Sequence, residues 1–377
     1  MLADSERGGS GEYIGPEKPL VLVPTKYTPR RLATIQVLRG LAALMVVCHH
    51  VQDQSEGFRQ IVSTQAGQAG VDLFFVISGF VMVYVTHDRE QSPGQFLAMR
   101  AARIVPVYWF FTLAASLLIV LQPQLFRSNE ATVRHVVLSL FFVPHSTVSA
   151  GLSPVIKQGW TLNYEAFFYI LFAIAMAVSF RRRAGFSISV LLGLAFVGYW
   201  LPLVGFSTTA TNFYMNNIIL EFAFGMLIAQ AFLMGKFERI GPIVSIGLVA
   251  VGFLALLACD PLYSSSNRAF TYGLPAAAIV AGAVAFETRS DSFQKPFLQF
   301  VGDASYSIYL VHVFPVAILR VIWPRIGLEM SGAWSFAAFL LTSAVLSIAA
   351  GAVSYYLVEK TSLKFLRRKI QEFSNRS

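Results

Sequence analysis

An arginine and a histidine share one apolar stretch near the start of this sequence, and both side chains can carry charge. Arg39 and His50 are eleven positions apart. In an α-helix that spacing is about three turns, so both side chains would point the same way, about 16 Å apart along the axis, whereas His49 would face elsewhere. Ionisable groups inside a membrane helix are costly and by default indicate a functional path. The structural alternative is that Arg39 reaches the membrane interface and His50 hydrogen-bonds within the bundle.

A carboxylate opens the next apolar run. Asp72 lies in the segment Gly-Val-Asp-Leu-Phe-Phe-Val-Ile-Ser-Gly-Phe, residues 70–80, close along the chain to the end of the run that holds His50. A carboxylate in that place would orient an imidazole and raise its basicity, which makes Asp72 a candidate catalytic residue. The alternative is an acid that only favours the positive end of a helix dipole.

A second acidic candidate lies in the segment Gly-Trp-Thr-Leu-Asn-Tyr-Glu-Ala-Phe-Phe-Tyr, residues 159–169. Glu165 is expected to open its apolar run from the outer side and to pair with an arginine or a histidine. Asn163 and Trp160 in the same segment are candidate substrate contacts. The alternative is an interfacial aromatic belt beside an acid that suits the helix dipole.

Two arginines stand at the entrance of the third apolar run. Arg100 and Arg103 are three positions apart and therefore share one helix face. Paired guanidinium groups suit phosphates, so the pair is a candidate site for a phosphorylated donor beside the Arg39 end of the first run. The alternative is that each arginine only anchors its helix on the cytoplasmic side.

A polar stripe occurs in the ninth apolar run. Ser305, Tyr309 and His312 have the spacing i, i+4 and i+7, which places them on one helix face. Such a stripe either lines a cavity that binds substrate or joins helices by hydrogen bonds. No metal-ligand spacing is present, and the adjacent pair His49 and His50 is not one, because neighbours on a helix face apart.

The elements that must position these residues are membrane helices. The chain has 377 residues, of which 55% are hydrophobic and 13% are charged. That charged share is about half that of a soluble domain, so the composition predicts an all-α, polytopic membrane protein. The net charge of +9 does not indicate nucleic-acid binding, because the basic residues form short clusters between apolar runs. Cys48 and Cys259 are expected to be small buried hydrophobes rather than a disulfide.

Runs long enough to cross a bilayer predict ten spans. They fall at 35–52, 70–87, 101–122, 162–180, 186–204, 213–233, 242–259, 269–287, 301–322 and 333–358. The segment 134–148 is shorter and is interrupted by charged residues and proline, so it is expected to be interfacial or re-entrant.

Basic residues mark alternate connections and therefore one side of the membrane. Clusters precede the first span and follow the even-numbered spans, which the positive-inside rule assigns to the cytoplasm. Both termini are then cytoplasmic, with 1–31 as a flexible tail, 32–360 as the transmembrane domain and 361–377 as a basic tail. The opposite loops carry isolated charges, among them Lys157 and Arg268.

These segments, in this order, resemble the membrane acyltransferase family 3 over about residues 32–360. The likeness rests on the spacing of Arg39 and His50 and on the runs Gly-Val-Asp-Leu-Phe-Phe-Val-Ile-Ser-Gly-Phe, Arg-Ile-Val-Pro-Val-Tyr-Trp and Ser-Tyr-Ser-Ile-Tyr-Leu-Val-His. The residues of these segments are most similar to the branch of the family that modifies exopolysaccharides. Gln36 stands where many members have an aspartate, and no soluble hydrolase-like domain follows the spans before Ser377.

The resemblance implies transfer of an acyl group, usually acetyl, from cytosolic acetyl-CoA to a hydroxyl of an extracellular polysaccharide or lipid-linked sugar. The enzyme would be a multi-pass protein of the bacterial inner membrane. The donor phosphates would lie near Arg100 and Arg103 and its pantetheine arm beside Arg39. His50 would act as general base or carry the acetyl group transiently.

Two other functions fit the same composition. A transporter of a sugar-containing lipid or small molecule would use these polar residues to line its route, although the sequence lacks the repeated halves typical of many transporters. A structural subunit of a polysaccharide export complex would leave Arg39 and His50 unexplained. A succinyl or longer acyl group and the oligomeric state stay open.

Overall fold

The computed structural model describes residues 31–62, 64–88, 91–122, 132–147, 151–289 and 295–374. Most of these residues are helical. The expected tail at 1–31 lies, apart from Arg31, outside the described residues. The helices are α1 Ala33–Gln52, α2 Glu56–Ile61, α3 Ala69–Thr86, α4 Pro93–Leu121, α5 Val133–Leu140, α6 Gly159–Val178, α7 Arg183–Trp200, α8 Thr209–Tyr214, α9 Leu220–Leu233, α10 Pro242–Cys259, α11 Leu274–Glu287, α12 Pro296–Asp303, α13 Ser305–Val311, α14 Val313–Arg325, α15 Ala333–Ser354 and α16 Lys360–Ser374.

The predicted all-α, multi-pass architecture is confirmed. Within the described residues, eight helices are long and apolar enough to cross a membrane, or nine when the bent pair α13 and α14 counts as one span. The sixth expected span corresponds to the shorter apolar helix Asn217–Leu233. It follows α8 after a break at Met215 and Asn216, where the Asn216 side chain caps the new helix.

The helix α4 is longer than the span predicted at 101–122 because its start is strongly specified. Ser92 and Gln95 form a reciprocal capping box, and Pro93 occupies the first helical position. The helix therefore begins eight residues earlier, at Pro93. As a result Arg100 and Arg103 lie inside the helix, on its second and third turns, rather than at its entrance.

The ninth expected span is broken at His312. Helices α13 and α14 meet there at an angle of 43°. Pro315 explains the position of the break, because its nitrogen cannot donate to the carbonyl of Val311 and its ring crowds that carbonyl. The break places His312 at the end of a buried helix instead of in the middle of a straight one.

Glycine brings the helices at the centre of the bundle close together. α3 packs against α1 and α9. A Cβ atom at Gly79 would collide with the Phe222 carbonyl oxygen, and one at Gly225 with that of Val76. Small residues of this kind let membrane helices approach backbone to backbone, which fixes α3 beside the functional site.

Two features lie at the ends of the bundle. The segment expected to be interfacial contains α5 and a two-residue strand Ser146–Thr147, paired antiparallel with Gly151–Leu152. At the other end, α15 continues through a π-helical turn into α16, so the segment 361–374 of the expected basic tail is helical. Ala333–Phe373 forms one helix of 41 residues, which is apolar in its first part and basic toward its end.

The two cysteines are less buried than expected. Cys48 is exposed and Cys259 is half-buried, and both are free thiols. The expectation of no disulfide therefore holds, whereas the expectation of burial inside the protein is wrong. An apolar run that crosses a bilayer satisfies its outward-facing positions with lipid, so such a position need not pack against another helix.

Candidate functional site

His50 lies near the end of α1 and is held by two neighbouring helices. Its Nδ1 is 2.9 Å from the Val46 carbonyl oxygen and 3.4 Å from His312 Nε2. Its Nε2 is 3.3 Å from Nε2 of Gln158, the residue just before α6. The predicted polar stripe on α13 thus reaches the predicted histidine of α1.

Two backbone carbonyls fix the proton positions of this histidine pair. A carbonyl only accepts hydrogen bonds, so Nδ1 of His50 donates to the Val46 oxygen. For the same reason Nδ1 of His312 donates to the Tyr309 oxygen, at 2.7 Å. In the neutral rings both Nε2 atoms therefore carry lone pairs. That of His50 accepts from the Gln158 amide and is the atom suited to take a proton.

A cavity of about 310 Å³ lies against His50. We call it the histidine cavity, and its size falls within the usual range of small-molecule sites. His49 also borders it, contrary to the expectation that this neighbour faces elsewhere, because the cavity extends around the end of α1 toward Asp53. The remaining polar and aromatic lining residues are Gln65, Gln68, Lys157, Gln158, Trp160, Arg268 and Tyr309.

The suggested contact between Asp72 and His50 is wrong. Asp72 is fully buried and accepts two hydrogen bonds from Arg268, from Nε at 2.9 Å and from Nη2 at 2.8 Å. A buried carboxylate and guanidinium satisfy each other best in this bidentate geometry. Arg268 also donates to the Gln68 carbonyl oxygen, at 3.3 Å. Asp72 therefore supports the wall of the histidine cavity through Arg268 and does not orient the imidazole.

A second cavity, of about 90 Å³, lies toward the other end of α1. Arg39, Arg100 and Arg103 line it together, so the structure brings the three predicted donor-binding arginines to one place. It runs along α3 from Val71 to Met82, about 16 Å, and is narrow. We call it the arginine cavity. Its volume is less than a third of that of the histidine cavity.

Charge inside the arginine cavity is mostly positive. Glu165 lies among the three arginines rather than at the outer edge, because it is on the second turn of α6 and points into the bundle. Glu359, on the turn before α16, accepts a hydrogen bond from Ser307 at 2.7 Å and lies near Arg39 and Arg103. Nε of Arg100 is buried and has no hydrogen-bond partner among the described residues.

The other predicted contacts separate into two groups. Trp160 and Tyr309 line the histidine cavity, and Tyr309 lines the arginine cavity as well. Ser305 and Asn163 are buried but line neither cavity, and the Ser305 hydroxyl has no partner within the described segments. The stripe i, i+4, i+7 is real, but its first member faces neighbouring helices. His312 lines neither cavity and lies against His50, with ring centroids 4.9 Å apart.

One family of known proteins matches most of this chain. The model of a family described as an acyltransferase domain matches residues 32–354. The chain belongs to this acyltransferase family. The match covers α1 to α15 and so includes every residue that lines the two cavities.

Three relatives show how far the likeness extends. An exopolysaccharide production protein, ExoZ, of Rhizobium meliloti is 36% identical over 79% of this chain and 90% of its own. The acyltransferase MdmB of Streptomyces mycarofaciens is 25% identical over 90% of this chain and 93% of its own. The peptidoglycan O-acetyltransferase OatA of Listeria monocytogenes is 23% identical over 92% of this chain but 57% of its own. No solved structure matches the chain.

Sequence reasoning missed several residues of this candidate site, and two of them, Gln158 and Arg268, directly contact residues that it did predict. Gln158 is neutral and precedes its helix, so neither charge nor periodicity marked it. Arg268 was interpreted as an isolated loop charge, although an arginine just before an apolar run (Ala269–Glu287) was a usable signal. Within the described ranges, no group of three or more His, Cys, Asp or Glu side chains is arranged to hold a metal ion.

Proposed function

We propose that this acyltransferase is a membrane O-acetyltransferase that moves an acetyl group from cytosolic acetyl-CoA to a hydroxyl of an extracellular or lipid-linked polysaccharide. In bacteria its place would be the inner membrane. One observation carries the proposal: His50 Nε2, whose lone pair accepts a long hydrogen bond from the Gln158 amide, lies at the histidine cavity, and a second cavity with three arginines lies beside it. The names of the relatives support the acetyl group and the polysaccharide.

The proposed reaction needs a base and no redox step. An acceptor hydroxyl in the histidine cavity gives its proton to His50 Nε2 while its oxygen attacks the thioester carbonyl. The carbon–sulfur bond then breaks, and the sulfur leaves as a thiol after taking the proton back from the imidazolium. The products are an acetyl ester and CoA. Transient acetylation of His50 is the alternative, and it predicts labelled protein when no acceptor is present.

The arginine cavity suits the donor. Arg100 and Arg103 offer guanidinium groups to the donor phosphates, and the buried Nε of Arg100 still lacks a partner among the described residues. The narrow space along α3 suits an extended arm that ends in a thioester. Arg39 lies on the same helix as His50, so the arm would follow α1 toward the base.

The histidine cavity suits a sugar. Trp160 offers an apolar face, and Gln65, Gln68 and Lys157 offer hydrogen-bonding groups around it. An aromatic ring with a few placed polar groups is the usual composition of a site for a polar small molecule. The acceptor would present one hydroxyl to Nε2 of His50.

Replacement of His50 by alanine tests the proposal. In lipid vesicles with acetyl-labelled acetyl-CoA, we expect His50→Ala to lower transfer to membrane glycans at least 100-fold, because general-base catalysis contributes about that much. His87→Ala is the control, since His87 lies at the far end of α3 and borders neither cavity. Wild-type transfer by His50→Ala would refute the assignment of the base. Failure of the wild type to bind acetyl-CoA would refute the donor.

A further inference from the structure

One side chain stands between the two cavities. Tyr309 lines both, and of the other lining residues only Val71 does the same among those the structure describes. Tyr309 is buried on α13, and its ring meets Phe74 edge to face at 5.7 Å between centroids. The two cavities therefore approach each other at Tyr309 and Val71, and of these two the tyrosine has the larger side chain.

The hydroxyl of Tyr309 holds the ring in that position. It is 2.9 Å from Thr161 Oγ1 and 3.2 Å from the Gln158 carbonyl oxygen. Both partners belong to the start of α6, so the contact joins α13 to α6 across the space between the cavities. Gln158 also contacts His50, and the Tyr309 carbonyl oxygen accepts from His312. Tyr309 is thus hydrogen-bonded to both Gln158 and His312, the two residues that contact the His50 ring from neighbouring elements.

A partition at this point has a chemical purpose. A thioester next to an imidazole base and to water is hydrolysed, which wastes the donor. Closing the two cavities from each other keeps water of the histidine cavity away from the donor arm. Opening requires rotation of one ring and the loss of its two hydrogen bonds.

We propose that Tyr309 is the partition of this enzyme, a positioning residue that closes the donor cavity to water and turns aside when an acceptor occupies the histidine cavity. Its role in acetyl transfer rests on the proposed function. Its role as a barrier does not, because the barrier is a property of the two cavities alone. The two roles therefore need separate experiments.

The barrier is tested by chemical access without any enzyme activity. Ser78 lines the arginine cavity and is replaced by cysteine in a chain whose two native cysteines, Cys48 and Cys259, are replaced by serine. A membrane-impermeant thiol reagent is added to oriented vesicles from the His50 side. We expect Tyr309→Ala to raise the labelling rate at least tenfold, and Tyr306→Ala, which removes a tyrosine that lines only the arginine cavity, to leave the rate unchanged.

The folding control is the labelling rate when the reagent is added on the side of the membrane nearer the arginine cavity. This rate should be equal in all variants. Equal rates from the His50 side with and without the Tyr309→Ala substitution would overturn the barrier. If Tyr306→Ala raised the rate as much as Tyr309→Ala, the effect would be general loosening, which overturns it as well.

The catalytic consequence is tested with the milder pair Tyr309→Phe and Tyr164→Phe. Tyr164 is the matched control, because it is buried, lines neither cavity, and its hydroxyl also donates to a carbonyl oxygen, that of Phe213 at 2.9 Å. We expect Tyr309→Phe to raise CoA release in the absence of acceptor at least fivefold, and Tyr164→Phe to leave it unchanged. Unchanged release in Tyr309→Phe would overturn the water-excluding role. Absence of His50-dependent release in the wild type would instead overturn the proposed function.

Discussion

In the proposed reaction His50 acts as a base only while its Nε2 keeps a lone pair, and the Val46 carbonyl oxygen secures this by accepting a hydrogen bond from Nδ1. His312 adds a second, longer contact to the same Nδ1, at 3.4 Å. Its own ring is fixed by the Tyr309 carbonyl. Among the described residues the His50 ring is therefore oriented by neutral groups and not by a carboxylate, in contrast to the pairing that Asp72 suggested.

This arrangement predicts a partial role for His312. We expect His312→Phe to lower kcat about tenfold, because the ring of His50 keeps its bond to Val46 but loses its lateral support. KM for acetyl-CoA should stay unchanged, since His312 does not line the arginine cavity. Steady-state kinetics in vesicles measure both. A loss as large as that of His50→Ala would show that His312 itself handles the proton.

At the scale of elements, α16 extends the positive charge of the arginine cavity. It packs against α4 and places Arg367 close enough to Arg100 and Arg103 for their charges to interact. Arg367 has no acidic partner among the described residues, whereas its neighbour Arg368 binds Glu372 at 2.8 Å. Arg367 and Arg368 are adjacent and both exposed, but Arg367 lies near Arg103 whereas Arg368 pairs with Glu372. Substitution of Arg368 is therefore a matched control for substitution of Arg367.

We expect Arg367→Ala to raise KM for acetyl-CoA about threefold to tenfold with kcat unchanged, because it removes a contact to the donor phosphates that is equally strong in the transition state. Arg368→Ala should behave as the wild type. Acetyl-pantetheine lacks the nucleotide phosphates and should be used equally well by all three proteins. Equal effects of the two substitutions on KM would contradict a phosphate contact.

Sequence periodicity predicted what depends on one helix and failed where two or more helices meet. The shared direction of Arg39 and His50 follows from α1 alone, and the stripe that contains Tyr309 and His312 follows from α13 and its C-cap alone. The division of that stripe between cavity and core depends on which neighbours surround α13. Pairing of Asp72 with Arg268 joins positions 196 residues apart, which no local pattern encodes.

At the scale of the whole molecule, the Asp72–Arg268 pair ties the start of α3 to the start of the span Ala269–Glu287. We expect Asp72→Asn to lower the free energy of unfolding by about 3–5 kcal/mol, because it leaves a buried guanidinium without its counter-charge. The midpoint of thermal unfolding in detergent would fall accordingly. The double variant Asp72→Leu with Arg268→Leu should recover much of the loss. No recovery would mean that the bonds of Arg268 to the Gln68 carbonyl oxygen and the Tyr263 hydroxyl contribute more to stability than the ion pair does.

The two cavities also differ in the kind of backbone that lines them. Arg39, Arg100, Arg103 and Glu165 all lie within long helices, where neighbours on every side constrain each side chain. The histidine cavity is lined largely by helix ends and connections, at Asp53, Gln65, Gln68, Lys157 and Arg268. Connecting segments accept substitution and insertion far more readily than packed helices. Under the proposed function, exchange of these connections between relatives is a direct route to enzymes with new acceptors and an unchanged donor, and it would give natural lineages the same freedom to diversify the sugars they modify.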